Sequence, residues 1–247
     1  MENLHYREIV YDKYVSSGQA KRLPSELDPE KNFKKHRPFV THIVNKYFPA
    51  DRNVKIIDIA CGTGVYIYYA KKNGYNNIIG VDVSREQVEL ANSLGIPEVV
   101  HVDLFEFLEN CNEKFECVLL MDIIEHLSKD ELLNLLSKLK FVLTPNAKII
   151  LHIPNAEGIF GMRVRYGDIT HEICFTPFSI SQILSLNGYH VVKCIEDRPL
   201  VHSPFALLRR ICWDILSLFP RLLLFSETAQ WNTILSQNMT VIAANKI

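Results

Sequence analysis

Two stretches of this 247-residue chain combine side chains that can move protons or hold cations. In RYGDITHEICFTP (165–177), Asp168 and His171 stand three positions apart, with Glu172 next to the histidine. An imidazole can take a proton near neutral pH, and a carboxylate can orient its ring or bind a substrate hydroxyl. Arg163, Arg165 and Tyr166 come just before and add cationic and planar hydrogen-bonding groups suited to a phosphate or carboxylate. In DIIEHL (122–127), Asp122, Glu125 and His126 fall at positions i, i+3 and i+4, with His126 a further candidate base. A helical turn there would set Asp122 beside both others, and a loop would not. Plainer accounts stand beside these: an Asx turn at Asp168, His171 packed against Phe175, and Glu125 with His126 shaping a loop.

A third stretch, DIACGTG (58–64), is suited to bind rather than to react. Gly62 and Gly64 let a ligand approach the backbone, and a helix starting after them offers unpaired N–H groups. A dinucleotide-binding loop would carry a third glycine at position 67, where this chain has Ile67, which weighs against NAD.

The elements that must position these residues alternate in type from residue 54 onward. VKIIDI (54–59), NIIGVD (77–82), EVVHV (98–102), FECVLLM (115–121) and AKIILHI (147–153) read as buried strands, with helical segments between them. YHVVKCIED (189–197) and MTVIAANK (239–246) read as two more. SREQ (84–87) and SKDE (128–131) read as capping boxes, and Thr176 with Pro177 as the start of another helix. Strand–helix units in series imply a doubly wound parallel sheet whose ligands bind at the carboxyl ends of the strands. Asp58, Asp82, Asp103 and Asp122 all fall at or just past such ends, and RYGDITHEICFTP follows the fifth strand.

Composition narrows the classes. With 48% hydrophobic residues and a net charge of -1, the chain suits one sizeable domain and lacks the basic excess of nucleic-acid binders. Six cysteines without a CxxC pair read as reduced, mostly buried thiols of a cytoplasmic protein. The polar N-terminus does not read as a secretory signal, and no apolar run reaches the ~18 residues of a membrane span.

DIACGTG (58–64), GVDVS (80–84), HVDLFEF (101–107) and LLMDIIEHL (119–127), in this order, resemble the class I S-adenosylmethionine-dependent methyltransferases. The resemblance implies a Rossmann-like, mostly parallel seven-stranded sheet, with the last two strands forming an antiparallel pair at one edge. It also implies S-adenosyl-L-methionine as cofactor. Asp58, Gly62 and Gly64 would line its methionine end, Asp82 would hold the ribose, and Asp103 would face the adenine amino group. Ala60, Val83, Leu104 and Met121 would complete that set.

Two finer resemblances bear on the acceptor. DIIEHL is similar to ubiquinone-pathway O-methyltransferases, which implies a divalent-metal set at Asp122, Glu125 and His126; loop packing under the cofactor is the favoured account, and no metal is expected. The pattern GDxTHxxxFTP (Gly167, Asp168, Thr170, His171, Phe175, Thr176, Pro177) resembles methyltransferases of bacterial surface-polysaccharide biosynthesis. It implies a sugar hydroxyl, or a phosphorylated or nucleotide-linked glycan precursor, as acceptor. A quinone-type acceptor and a non-catalytic cofactor-binding partner protein are the rival expectations.

Two segments flank this core. Residues 1–53 read as an N-terminal helical lid, with Arg37 or His36 near the cofactor carboxylate. Residues 54–247 form the main domain, with a helical insertion at about 203–230. Its apolar run 205–225, broken by Arg209, Arg210, Asp214, Pro220 and Arg221, suits a pocket cover or homodimer contact, with peripheral contact at the inner face of a membrane as the alternative.

Overall fold

The computed structural model describes Val10, Tyr11, Lys13 and residues 27–246. Most of the expected lid over residues 1–53 therefore lies outside the described residues. Its described part forms helices α1 (Pro29–Phe33) and α2 (Arg37–Tyr47).

Five strands separated by four helices follow. These are β1 (Ile56–Ile59), α3 (Val65–Lys72), β2 (Ile78–Asp82), α4 (Arg85–Ser93), β3 (Val99–His101), α5 (Leu104–Asn110), β4 (Phe115–Met121), α6 (Lys129–Leu139) and β5 (Leu143–Pro154). The chain continues through α7 (Gly161–Arg165), α8 (Pro177–Leu186), β6 (Tyr189–Glu196), α9 (Pro204–Leu216), α10 (Leu218–Thr228) and β7 (Asn238–Asn245). All seven strands join one sheet in the order β3-β2-β1-β4-β5-β7-β6. The first five strands are parallel, and β7 runs antiparallel between β5 and β6. The strand order reverses between β1 and β4, which opens a crevice at their carboxyl ends.

Strand parity builds the core and also aims the site. Ile57 and Ile59 of β1, Val118 and Leu120 of β4, and Leu151 and Ile153 of β5 pack on one face with Leu132, Leu135 and Leu136 of α6 and Ile180 of α8. The opposite face carries Ile56, Leu119, Met121 and Ile150 against Val40 and Ile43 of α2 and Ile67 of α3. With successive side chains pointing to opposite faces, Asp58 and His152 fall on the second face, under α2 and α3.

The caps divide by chemistry. Ser128 and Glu131 form the expected reciprocal box, and Thr176 does the same with Ser179. The box expected at Ser84 does not form. The Ser84 N–H donates to Asp82 Oδ1 at 2.8 Å, and its hydroxyl makes no cap bond. The aspartate at the strand end has taken over the turn. Of the cysteines, Cys61 and Cys117 are buried, Cys111, Cys174 and Cys194 half-buried and Cys212 exposed, so full burial holds for only two of the six; all are free thiols.

The insertion forms the helical hairpin α9–α10. Ala206 and Ser217 are buried in it, whereas Phe205, Leu216 and Phe219 are 70–74% exposed. Among the described residues, no helix is long and apolar enough to cross a membrane.

Candidate active site at the carboxyl edge of the sheet

The β1–α3 loop makes the cradle. Ala60, Gly62 and Gly64 all have positive φ, at 58°, 56° and 75°. A side chain at Gly64 would drive its Cβ to 2.9 Å from Val99 Cγ2, so sterics as well as conformation demand glycine. Gly64 precedes α3 with no side-chain cap, leaving the first N–H groups of that helix to a ligand. Asp82 closes the loop by accepting from Gly62 N at 2.7 Å.

Beside the cradle lies a cavity of about 950 Å³, lined among others by Ala60, Asp82, Val83, Asp103, Leu104 and His126. Asp103 caps α5, its Oδ1 accepting from Phe105 N at 2.8 Å. Met121 is buried beneath, in the core under α2 and α3. Arg37 is exposed at the start of α2 and does not line the cavity; its charge acts on the Tyr68 and Tyr69 phenols.

Asp58 is 1% exposed, and neither of its carboxylate oxygens has a hydrogen-bond partner. Burial pushes its carboxyl well above the usual range, and the nearby Asp82 adds to this. Burial raises Asp82 as well, against the two N–H groups it accepts. Two buried acids flanking a glycine cradle call for a ligand carrying a cationic group and hydroxyl donors. S-adenosylmethionine, with its ammonium, sulfonium and ribose, meets that demand.

On the far side of the cavity, backbone bonds join the two stretches that opened the sequence analysis. Ile124–His126 forms a short 3-10 turn, and the Glu125 carbonyl accepts from Glu172 N at 2.7 Å and Ile173 N at 3.1 Å. That brings His126 and His171 edge to face, with ring centroids 4.6 Å apart. Asp168 Oδ1 accepts from the Thr170 N–H at 2.9 Å, an Asx turn, and from its hydroxyl at 2.6 Å. The same hydroxyl lies 2.8 Å from His126 Nδ1. Having given its proton to Asp168, it accepts from His126 Nδ1–H. Burial acts to raise the Asp168 carboxyl, but the Thr170 hydrogen bonds hold it below its ordinary value.

His171 is oriented differently from the expectation. Its Nδ1 lies 2.9 Å from the Val164 carbonyl, so a backbone oxygen, not the Asp168 side chain, fixes the ring. A carbonyl only accepts, so Nδ1 carries the proton and Nε2 presents its lone pair. Arg165 turns inward and donates to the carbonyls of His171 and, at 2.9 Å, Glu172. Arg163 and Tyr166 remain exposed. Glu125, His126 and His171 together bring ligand atoms within 4.8 Å of one another, a donor set that a divalent cation can take. Asp122 stands apart from that set.

Instead, Asp122 belongs to a cluster that sequence reasoning missed. It sits at φ 54°, and its Oδ1 lies 2.5 Å from His152 Nδ1. The other ring nitrogen, Nε2, lies 2.7 Å from Asp197 Oδ2, just past β6. Burial pushes this imidazole toward the neutral form, but the Asp122 and Asp197 carboxylates override it and raise its pKa well above the ordinary value. Phe39 of α2 packs edge-on at 5.0 Å. The available signal was strand parity, because His152 is the one titratable side chain in IILHIP and shares its face with Asp58.

A Rossmann-like sheet and a glycine cradle between buried acids, beside a cavity lined by His126, define a class I S-adenosylmethionine-dependent methyltransferase. The chain belongs to the methyltransferase domain family, whose match covers residues 33–194, well over half of its length. No curated protein matches the sequence. Solved structures share the fold at low identity. A SAM-dependent methyltransferase from Archaeoglobus fulgidus is 22% identical with a TM-score of 0.63, covering 87% of this chain and 97% of its own. The putative methyltransferase of Haloferax volcanii, solved in complex with the Trm112 methyltransferase activator, is 12% identical with a TM-score of 0.68, covering 96% and 98%. Magnesium protoporphyrin IX methyltransferase from Synechocystis PCC 6803, solved with bound SAH, is 15% identical with a TM-score of 0.58, covering 97% and 100%.

Proposed function

We propose that this protein O-methylates a sugar hydroxyl, or a phosphorylated or nucleotide-linked sugar precursor, with His171 as general base. The carrying observation is the fixed tautomer of His171, whose Nδ1–H is held by the Val164 carbonyl beside a ring that lines the cofactor cavity. S-adenosylmethionine supplies an electrophilic methyl carbon on a sulfonium sulfur, and the thioether is the leaving group. Asp58 and Asp82 would hold the donor's cationic and hydroxyl groups, and the uncapped amides at the start of α3 would take its carboxylate. His171 Nε2 takes the acceptor's hydroxyl proton as the oxygen bonds to the methyl carbon and the carbon–sulfur bond breaks. The Asp168–Thr170–His126 chain ties the 165–177 stretch to His126, which lines the cavity. Arg163 and Tyr166, exposed beside it, suit the anionic part of such an acceptor.

The apolar side chains exposed along α9 and α10 support a contact between two copies of the chain at this hairpin. The acceptor is tested by mass spectrometry of reactions with a panel of nucleotide-linked and phosphorylated sugars. A product heavier by one CH2, formed by the wild type and nearly lost in His171→Ala, is the expected result. Full turnover in His171→Ala would remove His171 as the base.

A further inference from the structure

One residue that its spacing puts in a capping box has a different place in the structure. Gln87 is the third residue of α4, from which a side-chain carbonyl can reach back to the Ser84 N–H. Asp82 holds that N–H instead, which releases the Gln87 carboxamide from the cap. The carboxamide lies over the cradle. A Cβ built on Gly62 would stand 3.1 Å from Gln87 Oε1 and 3.5 Å from both its Cδ and its Nε2. Three distances so nearly equal set the amide broadside on the glycine, with its hydrogen-bonding edge to the side. Gln87 lines the cofactor cavity, is half-buried rather than sealed off, and makes no side-chain hydrogen bond among the described residues.

The neighbouring Asp82 defines what such an amide can add. Its Oδ2 accepts from Gly62 N at 2.7 Å and its Oδ1 from Ser84 N at 2.8 Å. An ionised carboxylate has further lone pairs for hydroxyl protons, but it has no proton to give. A ribose hydroxyl both donates and accepts, so a sugar held by Asp82 alone keeps oxygens in want of an N–H. The Gln87 carboxamide, against the same glycine, carries that donor.

We propose that Gln87 binds the ribose of S-adenosylmethionine, its Nε2–H donating to the oxygen of a hydroxyl whose proton goes to Asp82. The assignment rests on the cofactor alone and not on the O-methylation reading above.

The test is calorimetry on the full chain, wild type and Gln87→Leu, with S-adenosylhomocysteine and its 2′-deoxyribose and 3′-deoxyribose analogues. Leucine keeps the bulk and the helix preference and removes the polar edge. Gln87→Leu should bind S-adenosylhomocysteine about threefold to tenfold more weakly than the wild type, the worth of one hydrogen bond. At least one deoxy analogue should bind the wild type more weakly than S-adenosylhomocysteine does. In Gln87→Leu that penalty should shrink by about the factor the variant has itself lost, because the two changes remove the same bond. The melting temperature of the cofactor-free variant should match the wild type, separating a lost ligand contact from a lost fold. Equal affinity of both proteins for S-adenosylhomocysteine overturns the proposal. So does a deoxy penalty of the same size in both, since a variant that merely disturbed the cradle would weaken all three ligands alike.

Discussion

The sheet edge carries two histidine clusters that look alike in composition and differ in what they can do. His171 spends one nitrogen on a backbone carbonyl and keeps the other, in a half-buried loop position. His152 spends both nitrogens on carboxylates and is 8% exposed. A base needs a lone pair, so only the first can take a substrate proton. The second is a fixed bridge between the Asp122 and Asp197 carboxylates, joining the end of β4 to the segment after β6. Hydrogen-bond partners, more than residue type, separate catalyst from scaffold here.

The sharpest break of that comparison is kinetic. His171→Ala should lower kcat by about 10²–10⁴-fold, the usual share of a general base, with little change in melting temperature. His152→Ala should do the reverse in kind: a stability loss of about 1–3 kcal/mol, because it leaves the largely buried Asp197 carboxylate without its partner while Asp122, 56% exposed, stays solvated. Chemical denaturation of the two variants side by side checks this, and comparable stability losses would merge the two clusters into one.

The next test uses pH. His152 has a folded-state pKa raised above its ordinary value of 6.5, so its stabilisation is fully present below that value. It is lost as pH rises through the raised folded value, because the folded protein then gives up a proton that the unfolded chain has already released. Denaturant midpoints of the wild type should therefore fall on the alkaline side, and His152→Gln should flatten that fall. Asp168 has the opposite sign. Its lowered pKa stabilises the fold above the ordinary carboxylate value of 3.8, and this contribution fades as acid titrates the folded group. Thr170→Val removes the hydroxyl between Asp168 and His126 and should cost about 1–3 kcal/mol, most visibly at neutral pH where Asp168 is charged.

How much of this was legible in the sequence depends on the range of the interaction involved. The strand series, the glycine cradle, the box at Ser128 and the N-cap at Thr176 rest on neighbours within a few residues, and the structure has them where the pattern put them. The box at Ser84 failed because Asp82, two residues upstream, competes for the same N–H and is held in place by the Gly62 amide across the crevice. His171, Asp168 and the Asx turn at Asp168 could be read from the sequence, but the Val164 carbonyl and the link through Thr170 to His126 could not. The Val164 carbonyl depends on how α7 ends, and the Thr170 link depends on the 3-10 turn at residues 124–126. The His152 cluster joins positions 122, 152 and 197, which come together only when β4, β5 and β6 share a sheet. The residue was visible in its strand, but the two carboxylates that define its role were not.

The smallest expected effect concerns a region outside the comparison, and it isolates the two clusters from it. Phe219 is 74% exposed on α10, a helix in which no residue is buried. An exposed substitution away from packed contacts changes stability by no more than about 0.5 kcal/mol, and an acidic side chain in the first turn of α10 suits the helix dipole, so Phe219→Glu should leave the denaturation midpoint and the pH profile of the wild type intact. If the hairpin joins two copies of the chain, the same charge placed on its apolar surface should shift the sedimentation coefficient toward that of a single chain. A midpoint that falls as the dimer dissociates would mean that the contact supports the fold, and with it the His152 bridge to residue 197. An unchanged midpoint with a changed sedimentation coefficient would confine the hairpin to assembly and leave both clusters as properties of the single chain.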